Sequence, residues 1–172
     1  MKLVILLMLM MSAANSYSQV VTNNELNKFV GTWKWESGND TVIIVLQKQV
    51  TNLPTGNSNE ILVGWHKYIG NGQLIQSSLQ YIGQDINNEN IPVGNDLNIT
   101  LYGFTKSPTE IWFVRFWDLI LHKNCNLFLR LLPNTTTQAT WKLTNPNGTR
   151  YSGPPGTYNQ FTLPRDIVLT KQ

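Results

Sequence analysis

Four tryptophans and one arginine have the residue types and spacing to do more than hold a core. Trp35, Trp65, Trp112 and Trp141 each sit in a short alternating apolar segment, and Arg115 is the one basic residue within the largely apolar run 110–117. Together they are the candidate lining of a ligand cavity. Indole rings offer broad apolar faces with a single N–H donor, and an arginine among apolar neighbours demands an anion or a carboxylate such as Asp118. Plainer readings stand beside this one. Aromatic stripes usually pack a core, an outward stripe makes a docking patch, and an arginine can lay its stem on the surface with its head in water.

Other reactive side chains are sparse. Cys125 is the only cysteine, flanked by neutral Asn124 and Asn126. It reads as a small buried hydrophobe at a strand start, with a reactive thiol or an intermolecular bridge as the alternative. His66 and His122 are too few for a zinc site, which takes three or four ligands, and the ten acidic residues are dispersed. No Gly-x-Ser-x-Gly elbow, His-Glu-x-x-His pair, phosphate loop or acidic calcium loop is present. The expectation is therefore no catalytic residue, no metal and no cofactor. The Asn-x-Thr sequons at Asn39, Asn98, Asn134 and Asn147 carry no signal. Twenty asparagines, each followed by Ser or Thr about 15% of the time, give about three sequons by chance.

Only 13% of the 172 residues are charged, and 13 Lys plus Arg against 10 Asp plus Glu leave a net charge of +3. Scattered cations do not make the clustered phosphate contacts of a nucleic-acid binder. A chain that is 41% hydrophobic, with six each of Trp, Tyr and Phe, can bury enough surface to fold. Lys2, the apolar run 3–11 and the small residues Ser16 and Ser18 have the order of a secretory leader. That predicts a signal peptide over 1–18, an exported domain over 19–172, and no stable membrane span once the leader is removed, since the run is too short to cross a bilayer.

These side chains must be positioned by strands. Thr22 can cap a short helical turn around Leu26 and Phe29. Alternation then predicts strands over 32–36, 41–49, 60–69, 73–82, 97–104, 110–117, 125–132, 138–144 and 166–171, with 161–163 as a further candidate. Ser37-Gly38-Asn39-Asp40 and Gly70-Asn71-Gly72 are hairpin signals. Within 110–117, strict alternation puts Ile111, Phe113 and Trp117 on one face and Trp112, Val114 and Phe116 on the other.

Gly31-Thr32-Trp33, entered from a helical turn and opening the first strand, resembles the Gly-x-Trp signature of lipocalins and related calycin barrels. The stretch 24–32 and the ending 163–172 also resemble small secreted proteins of unknown function from Bacteroidota-type bacteria. The resemblance implies a barrel with Trp33 as its floor plug and a basic residue packed over that ring, for which Arg130, Lys142 and Arg165 are candidates. It departs from lipocalins in the Pro-Gly-rich stretch 145–158, which cannot form their late helix.

The resulting fold expectation is all-β: a single antiparallel, lipocalin-like meander barrel of about eight to ten strands with a short N-terminal helical turn. The functional expectation is an exported non-enzymatic protein binding a small apolar or amphipathic ligand in the barrel. The alternative is a β-sandwich surface module that binds glycans or a protein partner through exposed aromatics.

Overall fold

β-Branched and ring side chains fit a pleated, half-buried surface, and this chain spends them in runs cut by Gly, Asn and Pro. The computed structural model describes residues 20–52, 58–87, 99–146 and 156–172. The expected leader over 1–18 lies outside them, as do Asn98, Asn147 and residues 97–98 of one expected strand. The described strands are β1 (Val20–Val21), β2 (Gly31–Ser37), β3 (Asp40–Asn52), β4 (Ser58–Gly70), β5 (Gln73–Ser77), β6 (Leu101–Ser107), β7 (Glu110–Asp118), β8 (Lys123–Leu131), β9 (Gln138–Thr144) and β10 (Asp166–Lys171).

Eight of them close into an antiparallel barrel in the order β2, β3, β4, β6, β7, β8, β9, β10 and back to β2. The closing pairs β4–β6 and β10–β2 exclude a two-sheet sandwich. β1 adds in parallel to β4, and β5 forms a hairpin with it. At the β4–β5 turn Asn71 and Gly72 both have positive φ, 51° and 75°, as a two-residue hairpin requires to match strand twist.

Three expectations need correction. The helical turn is the 3-10 segment Asn24–Lys28, capped by Asn23 rather than Thr22, because the Asn23 carboxamide oxygen accepts from Glu25 N at 3.1 Å. The run 73–82 stops being a strand at Ser77 and becomes a 3-10 turn, Leu79–Tyr81, because His66 N donates to the Ser78 hydroxyl at 2.9 Å and Ser78 O accepts instead from Tyr81 N at 3.0 Å. Residues 161–163 are not a strand; Asp118 holds them, with Thr162 N and Oγ1 donating to its carboxylate at 2.9 and 2.8 Å.

Inside, Val42, Ile44 and Leu46, Phe113 and Phe116, Leu127 and Leu129, Trp141, Leu143 and Leu169 form one core. Leu26 and Phe29 plug the lower end, where Trp33 is fully buried and donates from Nε1 to Phe29 O at 2.7 Å. The cation over Trp33 is Lys171, its Nζ 5.5 Å from the ring centroid and donating to Lys28 O. Neither Arg130, Lys142 nor Arg165 takes that place. Arg130 and Lys142 point away from the core on β8 and β9, and Arg165 lies against Phe161. β10 runs back beside β2, so its last lysine arrives directly above the β2 tryptophan.

The barrel's seams are unequal. β3 and β4 share twelve register pairs, β4 and β6 three, and β10 and β2 only two. At β4–β6 the strands approach through glycine. A Cβ on Gly103 would lie 2.7 Å from the Phe113 ring, and one on Gly64 would lie 2.6 Å from Leu46 Cδ2.

Candidate functional site

The five expected site residues do not converge on one interior cavity. Along β4, Leu62 and His66 face the interior, so Trp65 faces outward with Ile61 and Val63. It is nonetheless fully buried, because Ile99, Leu79, Tyr81, Ile86 and Tyr102 cover that outer surface. On β7 a bulge between Phe113 and Phe116 shifts the alternation by one residue. Phe116 therefore joins Ile111 and Phe113 inside, reversing the strict-alternation assignment, and Trp117 falls on the outer face with Trp112. Trp112 is 39% exposed and parallel to Phe128, with ring centroids 6.4 Å apart. Arg115 is exposed beside Tyr102 and does not pair with Asp118, whose carboxylate is taken by Ile120 N, Leu121 N and Thr162.

Trp35 and Trp141 do come together. β2 and β10 pair only at Thr170 with Lys34 and Lys171 with Trp33. Above those positions the two strands part. The parting leaves a groove of about 700 Å³ lined by Trp35, Thr140, Trp141, Lys142, Asp166, Ile167 and Val168. Trp141 forms the floor, donating from Nε1 to Pro164 O at 3.0 Å. Trp35 is half-buried against the core, and Val168 is 43% exposed at the rim. The volume and the mainly apolar floor suit a small-molecule site.

A second groove of about 430 Å³ lies beside it on the outer face, lined by Lys106, Glu110, Phe128, Arg130, Thr140, Lys142 and Thr144. Thr140 and Lys142 belong to both. Cross-strand register sets the outer face in a row: Phe104, Trp112, Phe128, Lys142 and Asp166 on five successive strands. Beside that row the nearly buried Glu110 takes Lys106 at 2.9 Å on one oxygen and Arg130 on the other. Although burial alone would raise it, those two cations hold the Glu110 carboxyl below its ordinary range.

The model of one family, a family of unknown function, matches residues 1–172. The chain belongs to that family, DUF6705. No curated protein and no solved structure matches it.

Sequence reasoning weighed His66 only as a metal ligand and gave no role to Ser78, Thr100 or Lys123, the buried polar residues that shape this DUF6705 barrel's upper end, though it did expect Cys125 to be buried. His66 Nδ1 lies 2.8 Å from Thr100 Oγ1, which lies 3.0 Å from Ser78 Oγ. All three are at most 1% exposed. The Ser78 hydroxyl accepts from His66 N and donates to His66 O, so the trio satisfies backbone where β4 changes partner from β6 to β5. Burial lowers the His66 pKa to about 4, against weaker opposing effects from the Gln76 amide and the Asp118 charge. Lys123 is drawn inward beneath 156–163. Its ammonium donates to Tyr158 O at 2.9 Å and to Gln160 O, and lies 4.2 Å from the Phe161 ring. Burial lowers its pKa. Cys125 is fully buried, and burial pushes its thiol up to about 12. The only signal for this cluster was polar residues at inward positions of otherwise apolar strands.

Among the described residues of this DUF6705 chain, no three His, Cys, Asp or Glu side chains gather to hold a metal. Nor is any helix there long and apolar enough to cross a membrane.

Proposed function

We propose that this protein is an exported, lipocalin-like binding barrel without a reaction of its own, and that it takes the apolar part of a small ligand in the groove between β2 and β10. One observation carries the reading: the barrel wall parts where two inward tryptophans, Trp35 and Trp141, sit beside Ile167 and Val168. The ligand enters through the side. Below, Leu26 and Phe29 plug the barrel, and above, residues 156–163 are strapped down by Asp118 and Lys123. Export is supported by the order of residues in 1–18, and the low charge of the chain agrees with it.

The test is solvent extraction of natively purified protein followed by mass spectrometry, with titration of a neutral naphthylamine probe. Saturable binding, weakened in Val168→Asp, is expected, because a rim carboxylate must be desolvated by the apolar probe. No extracted species and no saturable probe binding would overturn the reading.

A second reading has its own observation. Phe104 and Trp112 are 37% and 39% exposed in one cross-strand row, the kind of apolar patch that meets a glycan or a protein partner. Trp112→Ala would abolish such docking while leaving probe binding in the seam groove intact.

A further inference from the structure

We infer that the ligand is a single-chain amphiphile with an anionic head, its chain lying in the groove between β2 and β10 and its head resting outside the barrel at Lys142. This rests on the seam groove being a ligand site. The two grooves meet at Thr140 and Lys142, so one molecule can occupy both. On the seam side the floor is Trp35, Trp141, Ile167 and Val168. On the far side are cations.

The charges there do not cancel. The Glu110 carboxylate is shared by two cations, Lys106 and Arg130, which leaves one positive charge in excess. Lys142 adds a second and makes no ion pair among the described residues. Its register neighbour Asp166 on β10 is the opposing carboxylate, but no ion pair joins them, and Asp166 lines the seam groove alone. An anionic head therefore settles on the Arg130 side of Lys142, away from Asp166. The Arg130 side chain is 64% exposed there despite its contact with Glu110. Thr140 and Thr144 bring hydroxyls to the same wall, and the half-buried Phe128 ring removes water from one side of the site.

A neutral chain gains only the seam, and a free anion gains only the outer groove. An amphiphile gains both, because binding one part raises the effective concentration of the other. A carboxylate and a phosphate share the required chemistry, so both a fatty acid and a phosphate-headed lipid fit.

The experiment titrates the protein with dodecanoate, dodecyl phosphate, dodecan-1-ol and inorganic phosphate, read by calorimetry and by tryptophan fluorescence at low salt. The two anionic amphiphiles should bind about fivefold more tightly than dodecan-1-ol, the size of a partly exposed ion pair. Salt should shrink that preference. Lys142→Gln should remove it and Lys142→Arg should keep it, and whichever anionic amphiphile binds tighter identifies the head. Equal binding of dodecanoate and dodecan-1-ol, unchanged in Lys142→Gln, would overturn the head-group inference and leave the seam reading standing. Inorganic phosphate binding as tightly as dodecyl phosphate would overturn the inference by showing an anion site with no chain. Binding by none of the four would overturn both.

Discussion

Acidification from pH 7 to pH 4 should cost the folded barrel about 3 kcal/mol through His66 alone. Its ring is fully buried among Thr100, Gln76 and Phe116, and its pKa falls from 6.5 to about 4. Each unit of difference between folded and unfolded states corresponds to about 1.4 kcal/mol. The sign follows from proton counting. Between pH 6.5 and about 4 the unfolded chain carries a proton on this ring and the folded chain does not, so stability falls as pH falls. Above 6.5 the contribution is complete, and below about 4 it has been lost. Glu60 and Glu110, whose pKa values are lowered from 4.5, begin to add losses of the same sign only toward the acid end. The upper part of the window belongs to His66. Urea unfolding followed by tryptophan fluorescence, at half-unit steps of pH, measures it. Wild type should lose about 1.4 kcal/mol per pH unit below 6.5. His66→Gln should be weaker at pH 7 but nearly flat from 6.5 to 5. A flat wild-type profile over that range, or an equal slope in the variant, refutes the assignment.

Four other perturbations have definite outcomes. Gly103→Ala should cost about 2 kcal/mol in urea unfolding, because the new methyl meets the Phe113 ring and the Trp112 carbonyl at a seam of three pairs. Asp118→Asn should loosen 156–163, which limited proteolysis will show as faster cleavage after Arg165, since the carboxylate that takes both Thr162 donors becomes an amide. Cys125 should resist thiol reagents until the protein unfolds, because a buried thiol pushed up to about 12 offers almost no thiolate at pH 7. Trp141→Ala should cost about 3 to 5 kcal/mol, whereas Trp112→Ala on the outer face should cost under about 1 kcal/mol.

Strand rhythm and the barrel were legible because alternation and turn residues are local. Asn71-Gly72 announces its hairpin without reference to the rest of the chain, and Gly31-Thr32-Trp33 marks where the barrel starts. The site was less legible because two devices that aim side chains leave no local trace. The β7 bulge moves Phe116 inside and Trp117 outside, and nothing in 110–118 but regular alternation is visible beforehand. Trp65, a candidate for the cavity lining, lies instead on the outer face of β4, and its burial there depends on residues 79–86 folding back over that face, which alternation does not record. Trp35 and Trp141 were singled out for their type; what joins them is a failure of pairing between β2 and β10. The same distance in sequence concealed Lys171, whose place above Trp33 follows from register rather than from composition.

The parted seam also bears on how copies of this protein behave toward one another. Beyond Lys34 on β2 and before Thr170 on β10, two stretches of backbone face a gap instead of each other. Open strand edges are templates for β-pairing between molecules. Here each edge ends in charge: Glu36, 58% exposed, on β2 and Asp166 on β10, with Pro164 and Arg165 just before it. A strand from a second copy would have to bring its own charges against these and lay a ladder beside a proline that has no N–H to give. The parted seam is thus edged against strand exchange by its own charges and by a proline, whatever else the gap serves.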